Sequence, residues 1–327
     1  MLARIAQELF WLGRDLTRAE HTARMLDGAF HADVAGALAD RGVTLSWEGV
    51  VAIIGAKPPA PGEKRRAPTD VPPPFDRHEV AALLTIDMAT PASIASCIDR
   101  ARERARTLRD VISTEMWEAL NSFFLSLGRY DLQAALITGP YSAYQEVKER
   151  CALFWGLVER TMLHDESRSF LEAGGRIEAA DMVLRMLRVA VPADLSAAAE
   201  GAQPGHEGEA IALLHAVGGV QAYQRAVRYA PALPAVVRFL LYDDGYPGSV
   251  AFSLQALRAA LHTADAQPRS SPPVLRLGRL IADLELQRRT HEGFDQTLER
   301  VQHELELVDH DIDERYFAIA ALAAVHL

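Results

Sequence analysis

Two runs of arginines and acids have the types and spacing to do chemistry. The first is Arg14, Arg18, Glu20 and Arg24; the second is Arg176, Glu178, Asp181 and Arg185. The arginine guanidinium is a planar fork, always charged, and matches a carboxylate or phosphate with two parallel bonds. A nearby Glu or Asp can orient that fork or act as a base. The runs therefore read as a carboxylate- or phosphate-binding centre. They read more readily as an ion-pair network locking two equivalent helices together, which favours specificity of packing more than stability. The two readings are compatible. A third set, Arg100, Arg102, Arg106 and Arg109, could line an anion pocket. Interleaved with Glu103 and Asp110, it is also the pattern of a solvated helix face.

Helices must carry these residues. Leu9, Leu12, Leu16, Ala19, Ala23 and Leu26 recur at steps of three and four, one face of a helix. Glu20 and Arg24 lie four apart beside that face, acid first, the favourable order for a helical ion pair. Gly13 interrupts the helix at a cost of roughly 1 kcal/mol against alanine, which points to close approach of another helix.

The pattern occurs twice. An offset of 161 (13 to 174) relates Gly13, Leu16, Ala19, Glu20 and Arg24 to Gly174, Ile177, Ala180, Asp181 and Arg185. An offset of 156 (83 to 239) relates Leu83-Leu84, Asp87, Pro91 and Ser93 to Phe239-Leu240, Asp243, Pro247 and Ser249. The chain reads as one domain, 1–327, with internal repeats of about 1–140 and 141–327 and pseudo-twofold symmetry.

The remaining chain is a series of helical stripes. Trp47 to Ile54, His78 to Thr85, a helix restarted at Thr90-Pro91 with Thr90 as cap, and Trp117 to Leu125 come first. Ser113-Thr114-Glu115 marks a kink. Tyr144 to Val158, Phe170 to Val189, Ile211 to Val217, Val220 to Val227, Leu233 to Leu241, Val250 to Leu261, Leu275 to Leu284, Phe294 to Leu307 and Ile312 to Val325 follow. Asp87 with Ser93, and Asp243 with Ser249, are suited to organising a turn before a helix. Seven prolines and Lys64, Arg65 and Arg66 make 57–76 an exposed, mobile loop. No hairpin and no strand–helix alternation is evident. The expected fold is all-α, a duplicated bundle of about a dozen helices.

The totals exclude several classes. With 327 residues, 49% apolar and 24% charged, the chain suits an ordinary soluble domain. A net charge of -10 argues against a nucleic-acid partner. No run of 18 apolar residues is present, and Arg4, Glu8 and Arg14 interrupt the N-terminal stretch, so neither a membrane span nor a signal peptide is expected and a cytoplasmic place is. Cys97 and Cys151 occupy apolar helical positions and read as buried free thiols. The acidic run His303, Glu304, Glu306, Asp309, His310, Asp311 and Asp313 reads as a solvated face rather than a metal site. No P-loop, dinucleotide glycine motif or GxSxG is present, so no ATP site, cofactor or metal is expected in this chain.

Trp11-Leu12-Gly13-Arg14, Leu16-Thr17-Arg18-Ala19-Glu20 and Thr22-Ala23-Arg24 resemble the alpha-E family, a bacterial all-helical family with a Glu-Arg motif. The resemblance continues at Ser93-Ile94, Ala101 to Arg106, Arg109 to Asn121, Met162 to Arg185 and Phe239 to Leu254. There are departures. The Glu-Arg pair falls at Thr17-Arg18 in one copy, lacking the glutamate, and at Glu178-Ala179 in the other, lacking the arginine. Gly175 and Arg104 also differ from the family's pattern. If the halves face each other, Arg18 and Glu178 complete one pair between them. The resemblance implies partners: circularly permuted ATP-grasp-type ligases and transglutaminase-like proteins. It implies a role as accessory or substrate-binding partner of such a ligase in amide or peptide bond formation or peptide modification. The alternatives are a free-standing enzyme using an Arg/Glu centre on an acyl or phosphoryl intermediate, and a non-catalytic helical scaffold.

Overall fold

Two long helices cross at the centre of the molecule: α1, Ala3–Val34, and α7, Glu166–Ala190. In the computed structural model, residues 1–34, 45–56, 76–128, 141–191, 195, 207–290 and 293–318 are described. The α1 stripe Leu9, Leu12, Leu16, Ala19, Ala23 and Leu26 is fully buried. Helix α7 is buried nearly all round, as a central helix must be. Asp165 caps it, its side chain accepting from the amides of Ser167 and Arg168.

Glycines set the closeness of the crossing. A β-carbon on Gly13 would overlap the carbonyl oxygen of Leu171, and one on Gly174 would overlap that of Phe10. The contact is reciprocal, and any side chain at either place would force the helices apart. The cost of a glycine within each helix is thus offset by backbone contact across the pair.

Around this axis the helices α2 (Trp47–Ile54), α3 (Arg77–Thr85), α4 (Ile94–Thr107), α5 (Thr114–Leu127) and α6 (Tyr141–Thr161) precede α7. After it come α8 (Glu207–Val217), α9 (Val220–Val227), α10 (Leu233–Tyr242), α11 (Val250–Ala264), α12 (Pro272–Thr290) and α13 (Phe294–Ile312). Helices α4 and α6 pack on α1, while α11 and α13 pack on α7. The short helices reach across: α2 packs on α7, and α8 packs on α1. The architecture is all-α, with thirteen α-helices and no strand among the described residues.

The two Asp–Ser turns have the expected form. Asp87 accepts from the amide of Ala89, and Ser93 donates to the Asp87 carbonyl at 2.7 Å while accepting from Ser96 N. Asp243 accepts from Gly245 N; Ser249 donates to the Asp243 carbonyl and accepts from Phe252 N. The cap of α4 is therefore Ser93 and not Thr90. Thr90 spends its hydroxyl on the Asp87 carboxylate inside the turn, 2.7 Å away. The expected kink at Ser113 is a full break: α4 stops at Thr107, and Ser113 caps a new helix by accepting from Met116 N. At the far end α13 continues through Ile312 into a single π turn, Asp313–Phe317, rather than a separate helix starting there. Loop 57–76 lies outside the described residues except Asp76, which caps α3. The Gly139-Pro140 turn, residues 35–38, 200–206 and 319–325 also lie outside them.

Candidate functional site

On one side of the α1–α7 crossing, three of the arginine–acid residues meet. The Glu178 carboxylate is fully buried. It accepts from Arg18 Nε at 2.5 Å and from Arg14 Nε at 3.0 Å. Arg14 also donates through Nη1 to both Asp309 oxygens at 2.8 Å and lies over the Trp11 ring at 4.7 Å. Burial alone would raise the Glu178 pKa; Arg18 and Arg14 outweigh it and hold the carboxylate below its usual range. For Arg14, burial acts to lower the pKa, and Glu178 and Asp309 reverse the direction. Each charge in this cluster has an opposite partner, and the cluster ties α1, α7 and α13 together. Arg18 and Glu178, each lacking its neighbour within its own Glu-Arg pair, meet across the two helices.

The other side of the same crossing is open. Thr17, Gly175 and Ala179 floor a cavity of about 450 Å³. Glu20, His21 and Arg24 of α1 form one wall, with Glu172 and Arg176 of α7 opposite. Trp155 and Val158 of α6 close one end, and the Tyr246–Gly248 turn the other. Glu20 accepts from Arg24 at 2.7 and 3.0 Å. Arg24 lies against Gly218, whose φ of +68° is a left-handed conformation that favours glycine. Glu172 and Glu159 are both taken up by Arg168. Arg176 is different. It stacks on Phe252 at 5.2 Å and makes no hydrogen bond or ion pair among the described residues. Burial lowers its pKa, and Glu172 only partly counters this. Burial, with Arg24, also lowers the His21 pKa against the opposing pull of Glu20, so its imidazole is neutral at pH 7. Tyr246 donates to the Val217 carbonyl at 2.7 Å, and burial pushes its phenol up to about 12.

The other candidate residues are held apart from both places. Asp181 pairs with Arg185 at 2.8 Å and accepts from Gln302 at 2.7 Å. Arg185 lies against Gly55, also left-handed, as Arg24 lies against Gly218. Arg102 bonds to Asn121 and Glu103 and lies over the Phe124 ring at 4.7 Å. Arg106 pairs with Glu103, and Arg109 lies over Trp117 at 5.4 Å. Arg100 and Arg104 cross to α1 and share Asp15; Arg104 also binds Glu8. The arginine face of α4 is thus partly a seam to α1 and partly a surface cluster on α5.

Asp309, assigned in sequence to a solvated acidic face, is the second anion on Arg14. Asp311 and Glu304 of the same run bind Arg276. Among the described residues no group of three His, Cys, Asp or Glu could hold a metal ion. Cys97 and Cys151 are buried free thiols. Burial and Asp15 push Cys97 up to about 12, and burial raises Cys151 well above its ordinary value. Neither offers a thiolate nucleophile near neutrality. Among the described residues no helix is long and apolar enough to cross a membrane.

The profile of a family described as a predicted α-helical domain with a conserved ER motif matches residues 1–317. The chain belongs to the Alpha-E family. Its relatives include the uncharacterized protein Mb2597 of Mycobacterium bovis and the uncharacterized proteins MT2643 and Rv2567 of Mycobacterium tuberculosis. Each is 25% identical over 286 residues, covering 83% of this chain and 31% of the relative. The Alpha-E chain thus spans about a third of the length of the curated relatives it matches. No solved structure matches it. Thr17, His21, Trp155 and Tyr246 were not legible as site residues. The one sequence signal was the set of departures from the family pattern at Thr17, Gly175 and Ala179, which together floor the cavity.

Proposed function

We propose that this Alpha-E chain is a substrate-binding helical partner of an ATP-grasp-type ligase, acting in amide or peptide bond formation or peptide modification. The observation that carries the binding reading is the open cavity lined by Arg176, which has no ion-pair partner among the described residues, beside a paired Arg14–Arg18–Glu178 cluster. A concave pocket of a few hundred Å³ is the usual size of a small-molecule site, and this one is lined about equally by polar and apolar groups. The matched relatives extend far beyond the shared region, which supports a domain that works beside further polypeptide. The partnership itself and a transglutaminase-like companion rest on the family resemblance.

The scaffold reading accounts for Glu178 and its arginines but not for the cavity. The free-standing enzyme reading draws on His21, a neutral base at the cavity wall, yet places neither a free carboxylate nor a thiolate beside it. Capture of the tagged chain from lysate of its native host, at low and high salt, tests the proposal. Stoichiometric recovery of an ATP-grasp-type ligase supports it. Recovery of the chain with no such protein at either salt overturns the partnership.

A further inference from the structure

The lock and the cavity occupy matching places on opposite sides of the crossing. Arg14 meets Glu178 on one side; Gly175 meets Thr17 on the other, a β-carbon on Gly175 lying 3.2 Å from the Thr17 hydroxyl. The same offset of 161 relates 14 to 175, 17 to 178 and 18 to 179. Where the lock has two guanidinium groups and a carboxylate, the far side has a hydrogen, a methyl and a hydroxyl. Thr17 and Ala179 leave the space, the Trp155 ring occupies the place a side chain on Gly175 would take, and the surrounding wall keeps its charges.

The wall charges are not equivalent. Glu20 pairs with Arg24, while Glu159 and Glu172 share the one guanidinium of Arg168, and Glu172 also attracts Arg176. Arg176 alone among these has no acceptor. A half-buried guanidinium without a partner carries a desolvation cost that an incoming carboxylate would relieve. A dianion such as phosphate would meet three wall carboxylates. We propose that the cavity binds a small organic monocarboxylate, with its carboxylate on Arg176 and its apolar body against Trp155 and Val158. The Thr17 hydroxyl and the neutral His21 face the same space and supply polar contacts. This inference rests on the cavity being the substrate site of the proposed function, and it names the class of molecule that site takes.

Calorimetric titration of the purified full chain tests it. The panel is free amino acids, N-acetylated amino acids and short peptides with aliphatic or aromatic side chains, with matched carboxamides and inorganic phosphate as controls. One-to-one binding of a carboxylate, with the carboxamide and phosphate at least tenfold weaker, is expected. A free amino acid, its acetylated form and a peptide terminus share the carboxylate, and their ranking identifies the source. Arg176→Met should weaken binding by about tenfold to a hundredfold, the loss of a charged hydrogen-bond partner. Thr17→Glu with Ala179→Arg, which puts back two of the three missing groups, should abolish binding while circular dichroism stays unchanged. Should that double variant not fold, Arg176→Met with its circular dichroism checked decides alone. No binding by any carboxylate, equal binding by carboxamides or phosphate, or unchanged affinity in Arg176→Met overturns the inference. Capture of a ligase without carboxylate binding would remove this inference and leave the partnership standing; carboxylate binding without a ligase would do the reverse.

Discussion

Glu178→Gln keeps the shape of the lock and removes its charge. The carboxylate is fully buried and accepts two guanidinium bonds, at 2.5 Å from Arg18 and 3.0 Å from Arg14. Breaking a buried pair by neutralising one partner costs about 3–5 kcal/mol, because the other charge is left without compensation. Here the two arginines differ. Arg14 keeps both Asp309 oxygens at 2.8 Å, so it is not orphaned. Arg18 has Glu178 as its bonded partner and a side chain 25% exposed, so water recovers part of the loss. The expected destabilisation therefore falls near the lower limit, about 3 kcal/mol at pH 7. Replacing the pair together, Arg18→Met with Glu178→Met, should cost less than either change alone, since an apolar pair leaves no charge behind.

Urea unfolding, followed by circular dichroism and tryptophan fluorescence together, measures this as a fall in midpoint at unchanged slope. The pH dependence gives an independent check. The Glu178 pKa is lowered in the folded state from its ordinary value of 4.5, because Arg18 and Arg14 overcome the effect of burial. A depressed carboxylate contributes stability that is present above the unfolded value and is lost as pH falls through the folded one. The gap between the native chain and Glu178→Gln should thus be constant from neutral pH down to about 4.5 and shrink below it. A variant as stable as the native chain at pH 7, or a gap that does not narrow in acid, would refute the charged lock.

Other perturbations follow from the packing. Gly174→Ala drives a β-carbon into the Phe10 carbonyl oxygen and should destabilise by about 3 kcal/mol or more, despite the helix propensity of alanine. Gly156→Ala, where a β-carbon meets nothing within 4 Å, should raise the melting temperature, with a gain of up to about 1 kcal/mol. Ser93→Ala and Ser249→Ala each remove a helix cap and should cost about 1 kcal/mol in thermal or urea unfolding. Cys97 and Cys151 should resist a thiol-specific chromogenic reagent at pH 8 in the native chain and react fully in denaturant; fast native labelling would contradict their burial.

What could be read from the sequence, and what could not, divides along physical lines. The helices were legible because their burial is periodic: Leu9 to Leu26 and Ile94 to Ala105 recur at the spacing that places them inside. The cap of α4 was misplaced because Thr90-Pro91 and Ser93 both fit a helix start. Only the turn's bonds to Asp87 show that Thr90 is engaged elsewhere. The Arg18–Glu178 pair was legible as a conditional, since two incomplete motifs can complete each other only if their helices touch. The Asp309 contact was not, because an acidic residue 295 positions from Arg14 looks like any other on a charged helix.

The cavity was hardest to see, because it is made by what is missing. Thr17, Gly175 and Ala179 stand out in the sequence only as departures from the family pattern, and small residues in helices usually let backbones approach. Gly13 and Gly174 do that, with backbone filling the space a side chain would need. Gly175 faces instead the rim of Trp155 and the Thr17 hydroxyl, beside open volume. One crossing thus uses the same residue type for two purposes, backbone contact at its centre and room for the Trp155 ring at its flank, beside the open volume. Which purpose a glycine serves depends on the helix opposite, and that is a property of the packing, not of the residue.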